Sequence, residues 1–219
     1  MREPIPSICL TLPGGWQHTP SMSLESRHTQ RILDDPVTIR ALAHPLRIKL
    51  HELVGRQGPT TAAQAARQLG VSQALASHHL RQLAKYGFVE PADTTNNRDH
   101  PWQVTTTSYS AARTGQDEAS AAVDVLDQMV AERGVEHLAA WHRRRDQYDP
   151  RWQRNAGVAQ SLVYLTVEEF TELHEALDAL ITPLVERRRL GEDAARPADA
   201  QPVNLTFISV PVEPTATGG

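Results

Sequence analysis

Residues Thr61 to Tyr86, TAAQAARQLGVSQALASHHLRQLAKY, constrain the fold of this chain more tightly than any other stretch. Thr61 stands three residues before Gln64, the spacing of a capping box, in which each side chain satisfies a backbone N–H that a helix start leaves free. Gly70 takes the left-handed conformation at least cost and so ends a helix. Val71 follows as a small apolar plug, and Ser72 is placed to cap a second helix through its hydroxyl. Two short amphipathic helices about a glycine-containing turn predict a helix-turn-helix.

A 3.6-residue wheel divides the second helix. Leu75, Ala76, Leu80, Leu83 and Tyr86 fall on one side, with His79 beside them. Gln73, Ala74, Ser77, His78, Arg81 and Lys85 fall on the other. That outer face suits a DNA major groove: Arg pairs with guanine, Gln with adenine, and a small Ala admits a thymine methyl. An amphipathic surface helix also carries a polar stripe, so the sequence that follows decides between the two. After Gly87 come Phe88-Val89-Glu90-Pro91, a polar tip from Ala92 to Pro101, and Trp102 to Thr107. Two β-prone runs about a loop rich in Asn, Asp and Thr predict a hairpin directly behind the second helix, which is the wing of a winged helix. Within the tip, Asn96, Asn97, Arg98 and His100 carry donors for phosphate oxygens.

The run Val71 to Leu83 followed by Gly87-Phe88-Val89-Glu90 resembles the recognition helix and first wing strand of ArsR-type bacterial repressors. Upstream, Arg40-Ala41-Leu42-Ala43-His44-Pro45-Leu46-Arg47-Ile48 is similar to the start of the same family's domain, where one helix ends and Pro opens the next. The resemblance covers about residues 34–108. It implies a dimeric winged-helix regulator of transcription, a repressor on a palindromic double-stranded operator. The family's pattern also has a His at the position of His79, which favours packing near the wing over base contact there. The expected base-contacting residues are Ser72, Gln73, Ala74, Ser77, His78 and Arg81. Thr61, Lys85, Asn97, Arg98 and His100 are expected on the DNA backbone, where contacts set register rather than sequence.

The formal net charge of −4 fits a DNA binder only once it is divided. Residues 34–110 carry eight Lys and Arg against six Asp and Glu, or +2, with five His besides. Residues 111–219 carry eleven against eighteen, or −7, and residues 1–33 carry three against two, or +1. Binding follows the local field over the contact face. At +2 per winged helix, tight binding leans on dimerisation. The single cysteine, Cys9, excludes an intrachain disulfide and a Cys-rich metal site, which suits a reducing, cytoplasmic setting. Pro4, Pro6, Pro13, Gly14 and Gly15 interrupt the N-terminus, so residues 1–30 read as a disordered arm, with neither a signal peptide nor a membrane span.

Ahead of the motif, Asp35 caps a helix with Pro36 at its first position, where the missing N–H costs nothing. Ile39, Leu42 and Ala43 make its apolar side. Pro45 opens the next helix, with Leu46, Ile48, Leu50, Leu53 and Val54 for the core and Gly55, Gly58 and Pro59 closing it.

From Asp117 to Arg145 runs a long helix whose Ala119, Ala122, Val123, Leu126, Met129, Val130, Leu138 and Trp141 form a stripe. Such a stripe needs a second surface, and the symmetric choice is its twin. Leu126, Met129, Val130, Leu138 and Trp141 are therefore expected in a homodimer interface. Beyond a polar linker at 148–160, Leu162–Leu165 reads as a strand and Thr166 opens a second capping box with Glu169. Phe170, Leu173, Leu177, Leu180, Ile181 and Leu184 give a helical stripe in which Pro183 is expected to kink or end the helix. Residues Val203 to Val210 alternate as a half-buried strand does. This extension would widen the dimer interface or hold a small-molecule effector, the first being favoured.

The resulting fold class is mainly α with small β elements (α+β). Its expected units are a disordered arm at 1–30, the winged helix-turn-helix at 31–110, a long dimerisation helix at 111–147, the linker at 148–160, a strand–helix–strand extension at 161–210 and a flexible tail at 211–219. No metal and no cofactor is expected. His51-Glu52 lacks the second histidine of a zinc-protease motif, since Gly55 stands there. The region Leu50 to Gly55 holds none of the thiols that resemblance to a thiolate sensor would require. Asp127, Glu136, His137 and His142 are the remaining candidates, but His137 and His142 sit about 140° apart around a helix. Zinc needs three or four converging ligands. Nucleophile-elbow, phosphate-loop and dinucleotide motifs are absent, so an enzyme is not expected.

Overall fold

The computed structural model describes residues 31–92, 100–106, 108–111, 113, 118–187 and 197–213. The expected arm at 1–30 with Cys9, the wing-tip residues Asn96, Asn97 and Arg98, Asp117, and the tail from 214 lie outside the described residues. The chain is mainly helical with small β elements, and a winged helix-turn-helix precedes a long helix.

The first elements are β1 (Arg31–Leu33), α1 (Pro36–Leu42) and α2 (Pro45–Gln57). Their starts are chemically defined. The Asp35 carboxylate accepts from Thr38 N at 2.8 Å, and His44 Nδ1 accepts from Leu46 N at 3.1 Å. Each helix has Pro in its first turn. Helix α3 (Ala62–Leu69) begins with both halves of the Thr61–Gln64 capping box in place and ends on Gly70 at φ 67°. Helix α4 (Gln73–Lys85) starts where Ser72 Oγ accepts from Leu75 N at 3.2 Å.

Strands β2 (Val89–Pro91) and β3 (Trp102–Val104) pair antiparallel, Val89 opposite Val104 and Pro91 opposite Trp102. Thr60 and Trp102 exchange two backbone hydrogen bonds of 2.9 Å, which tie the tip-side end of β3 to the residue before the α3 cap. Ile39, Leu42, Leu50, Val54, Leu80, Leu83 and Phe88 are fully enclosed in one core beneath these elements.

A second small sheet has no local signature in the sequence. Strand β1 pairs in parallel with β4 (Tyr109–Ala111), Arg31 opposite Tyr109. The Arg31 guanidinium then donates to the Gly87 and Tyr86 carbonyls, both at 2.8 Å, and lies 4.5 Å over the Phe88 ring. It thereby clamps the turn between α4 and the wing, where Gly87 stands at φ 69°.

Helix α5 (Glu118–Arg144) lays its first half across α1, burying Ala119, Ala122, Val123 and Leu126. A 3-10 turn (Arg145–Gln147) follows, and then α6 (Pro150–Asn155), capped by Asp149, stands where a polar linker was expected. Pro150 at the first helical position and the cap are the local reason. Helix α7 (Val167–Arg187) runs through Pro183 without ending there. Its surface is open, so water can take the backbone carbonyl that the proline leaves unpaired.

The expected strands at 162–165 and 203–210 are a correction: both segments lack strand pairing. Alternating side chains describe a strand's faces, but a ladder also needs a neighbouring backbone, and two such segments astride one helix form no stable sheet. The second segment instead rests against helices. Ser209 Oγ and His174 Nε2 are 3.0 Å apart. A methyl at Gly134 would sit 3.0 Å from Thr206 Oγ1. Among the described residues no helix is long and apolar enough to cross a membrane.

Candidate nucleic-acid interface

Helix α4 is two-faced because its apolar positions recur with the helical period. Ala76, Leu80 and Leu83 are fully buried and His79 nearly so. Gln73, Ala74, His78, Arg81 and Lys85 are exposed on the opposite side, and Ser77 is half-buried. The two adjacent histidines thus part as expected, one to the core and one to the surface. Leu75 is the correction: placed by the wheel with the apolar set, it is 41 % exposed. Its neighbour Ala76 is enclosed in the same turn, but Leu75 stands about 90° around the helix from the centre of the buried set, at the edge of that face.

Two of the expected DNA contacts already have local work. The Ser72 hydroxyl caps α4, and the Thr61 hydroxyl accepts from Gln64 N at 3.2 Å. His100, at the edge of the described wing, is exposed with φ 39°, in the left-handed region. Within the hairpin, Gln103 Nε2 donates to Glu90 Oε1 at 2.9 Å.

Beneath the face lies a group of cations and rings. The His79 ring lies 4.6 Å from that of His44, tilted, and 5.3 Å from that of His78, edge-on. Burial holds His79 below the ordinary histidine range, and the charges of His44, Arg47 and His78 lower it further. His44 is held down by burial and then by Arg47. Both rings are therefore neutral near neutral pH, which His44 requires in order to accept at Nδ1. Arg47 Nη2 donates to the Arg40 carbonyl at 2.8 Å.

A polar junction joins α2 to α5. Glu52 accepts from Arg133 Nε at 2.7 Å and from His137 Nε2 at 3.1 Å. Burial alone would raise this carboxyl, but the hydrogen bonds from His137 and Arg133 and their charges hold it at about 2. Arg133 also pairs with Glu136, which Lys49 reaches at 3.1 Å. Next to Glu52, burial holds His51 at about 4, its ring set edgewise against Phe88 and Tyr109.

Three of the four candidate metal ligands are taken up in ion pairs, and His142 is exposed near the end of α5. Asp127 takes Arg113 at 2.6 Å, whereas Glu136 and His137 belong to the α2–α5 junction. Among the described residues no three His, Cys, Asp or Glu side chains converge as a metal site would need. Sequence reasoning missed Arg31 and the Glu52–Arg133 pair, since neither has a local signature.

Residues 42–92 match the model of a helix-turn-helix domain. The match runs from the end of α1 through the first wing strand, and this helix-turn-helix domain supports a DNA-binding transcriptional regulator at that coarse level. No curated protein matches the chain. Among solved structures, RV1404 from Mycobacterium tuberculosis is 17% identical with a TM-score of 0.28, covering 64% of this chain and 81% of its own. A point mutant of ZitR from Lactococcus lactis is likewise 17% identical with a TM-score of 0.27, covering 64% and 73%. Likenesses this low carry nothing about activity.

Proposed function

We propose that the chain is a homodimeric, ArsR-like repressor that reads a palindromic operator through α4. The observation that carries this is the division of one helix. Gln73, Ala74, His78, Arg81 and Lys85 are exposed while Ala76, His79, Leu80 and Leu83 anchor the same helix in the core. A face held rigidly by its own back is what base readout requires, because donors must meet base edges within a few tenths of an ångström.

Gln73, Ala74, Ser77, His78 and Arg81 would meet bases, with Ser72 at the helix start. Lys85, Thr61 and the wing residues Asn97, Arg98 and His100 would hold phosphates. Leu126 is already 2 % exposed within its own chain, so the dimer contribution of α5 falls to Met129, Val130, Leu138 and Trp141, which are half-buried. Trp141 stacks 5.0 Å from Tyr148 at the far end of that stripe.

Selection of bound duplexes from random DNA tests this reading. Recovered fragments should carry two inverted half-sites about one helical turn apart. Recovery of no enriched sequence, with the folded chain binding a protein partner through α4 instead, would reassign the domain to protein recognition.

A further inference from the structure

We infer that α7 docks against α7 of a second copy of this chain, the two helices running antiparallel about an axis at Leu177. Phe170, Leu173, Leu177, Leu180 and Leu184 follow one another at intervals of three, four, three and four, the seam spacing of paired helices. No residue of α7 is buried, and along the seam Leu173 is 41 %, Leu184 56 % and Leu180 70 % exposed. A seam of this kind is unfavourable in water and calls for another helix.

Charge at the two ends points to a second copy as the occupant. Glu169 and Arg187 are eighteen residues apart, five full helical turns, so they lie on the same side of the seam. In an antiparallel pair centred on Leu177, Phe170 of each helix meets Leu184 of the other, and Arg187 comes beside Glu169 at both ends. A parallel pair would bring acidic end to acidic end. Exposed ion pairs of this sort add little affinity, but they select orientation.

The seam of a helix about 30 Å long falls short of the ~800 Å² per partner of a standard interface. Ser209 meets His174 of α7, and its neighbours Phe207 and Ile208 are 57 % and 70 % exposed, further apolar surface available to a partner. The inference is independent of DNA reading, since it uses no residue of the helix-turn-helix domain.

Cross-linking of the full chain in a Cys9→Ser background tests it. Under mild oxidation, Leu177→Cys should form a covalent dimer by itself. Phe170→Cys and Leu184→Cys should form one when the two are mixed, and little when each is alone. In the otherwise unaltered chain, Leu177→Glu should weaken self-association at least tenfold in sedimentation equilibrium, with an unchanged circular dichroism spectrum. Efficient self-linking by Phe170→Cys would establish a parallel pair and overturn the arrangement. A chain that is dimeric yet gives no Leu177→Cys cross-link, or a Leu177→Glu chain whose self-association constant is unchanged, would overturn the α7 interface while leaving an α5 dimer standing. A wild-type chain that is monomeric or binds lipid vesicles through α7 would overturn it too. Operator binding, measured on the same samples, reports separately on the DNA reading.

Discussion

His44 and His79 hold their rings 4.6 Å apart at a tilt of 40°, joining the cap of α2 to the buried side of α4. One residue thus starts a scaffold helix and supports the helix proposed to read DNA. The cap uses Nδ1 as an acceptor, so it depends on an unprotonated ring.

Replacing the capping side chain separates these two tasks. His44→Ala should cost about 1 kcal/mol of unfolding free energy through the lost cap. His44→Asp restores an acceptor and should recover most of that loss in urea titrations, though not the ring contact. Equal losses for both variants would mean that the ring contact, rather than the cap, carries the stability.

Stability should fall on acidification. His51 is held at about 4 by burial, whereas an exposed histidine titrates near 6.5. The unfolded chain therefore takes up the proton first, and His51 contributes stability that is whole above pH 6.5 and lost as the pH falls towards 4. At about 1.4 kcal/mol per unit, the loss reaches roughly 3 kcal/mol by pH 4. His44 and His79, also lowered, act in the same direction. Urea midpoints measured between pH 7.5 and 5 check the slope; a flat profile would contradict the burial of an uncharged His51.

Two leucines of one helix should behave differently. Leu80 is fully enclosed, and Leu80→Ala should cost about 2–5 kcal/mol. Leu75, 41 % exposed, should cost less than about 1 kcal/mol when cut to Ala. Comparable losses at the two positions would place Leu75 in an interface after all.

On the outer face, Arg81→Ala should weaken operator binding by about 1–3 kcal/mol and relax preference at one base pair. Lys85→Ala should weaken specific and random DNA alike and lessen the salt dependence. If Arg81→Ala reduced both kinds of binding equally, Arg81 would be a phosphate contact.

At the α2–α5 junction, Glu52→Gln should destabilise the fold by about 1–3 kcal/mol, because Arg133 and His137 keep their partial burial and lose the charge they share. Thermal unfolding of Glu52→Gln beside Arg113→Ala, whose pairs are exposed, gives the comparison. The exposed pairs should contribute little.

The sequence alone determined what neighbouring residues settle between themselves. The Asp35, Thr61 and Ser72 caps, the left-handed Gly70, the proline starts and the hairpin behind α4 all form where local chemistry places them. The split of His78 from His79 followed from helical period in the same way. Tertiary structure decided what depends on distant partners. Arg31 finds the turn at Tyr86–Gly87 only because β1 meets β4, and Glu52 meets Arg133 only because α5 crosses the scaffold. Leu75 is apolar by type and falls with the apolar set, yet it lies at the edge of the buried face, which no neighbouring element covers. The segments 162–165 and 203–210 alternate like strands and find no ladder partner. Caps and turns are short-range hydrogen bonds written within four residues, whereas burial and strand pairing need a second surface that no local window contains.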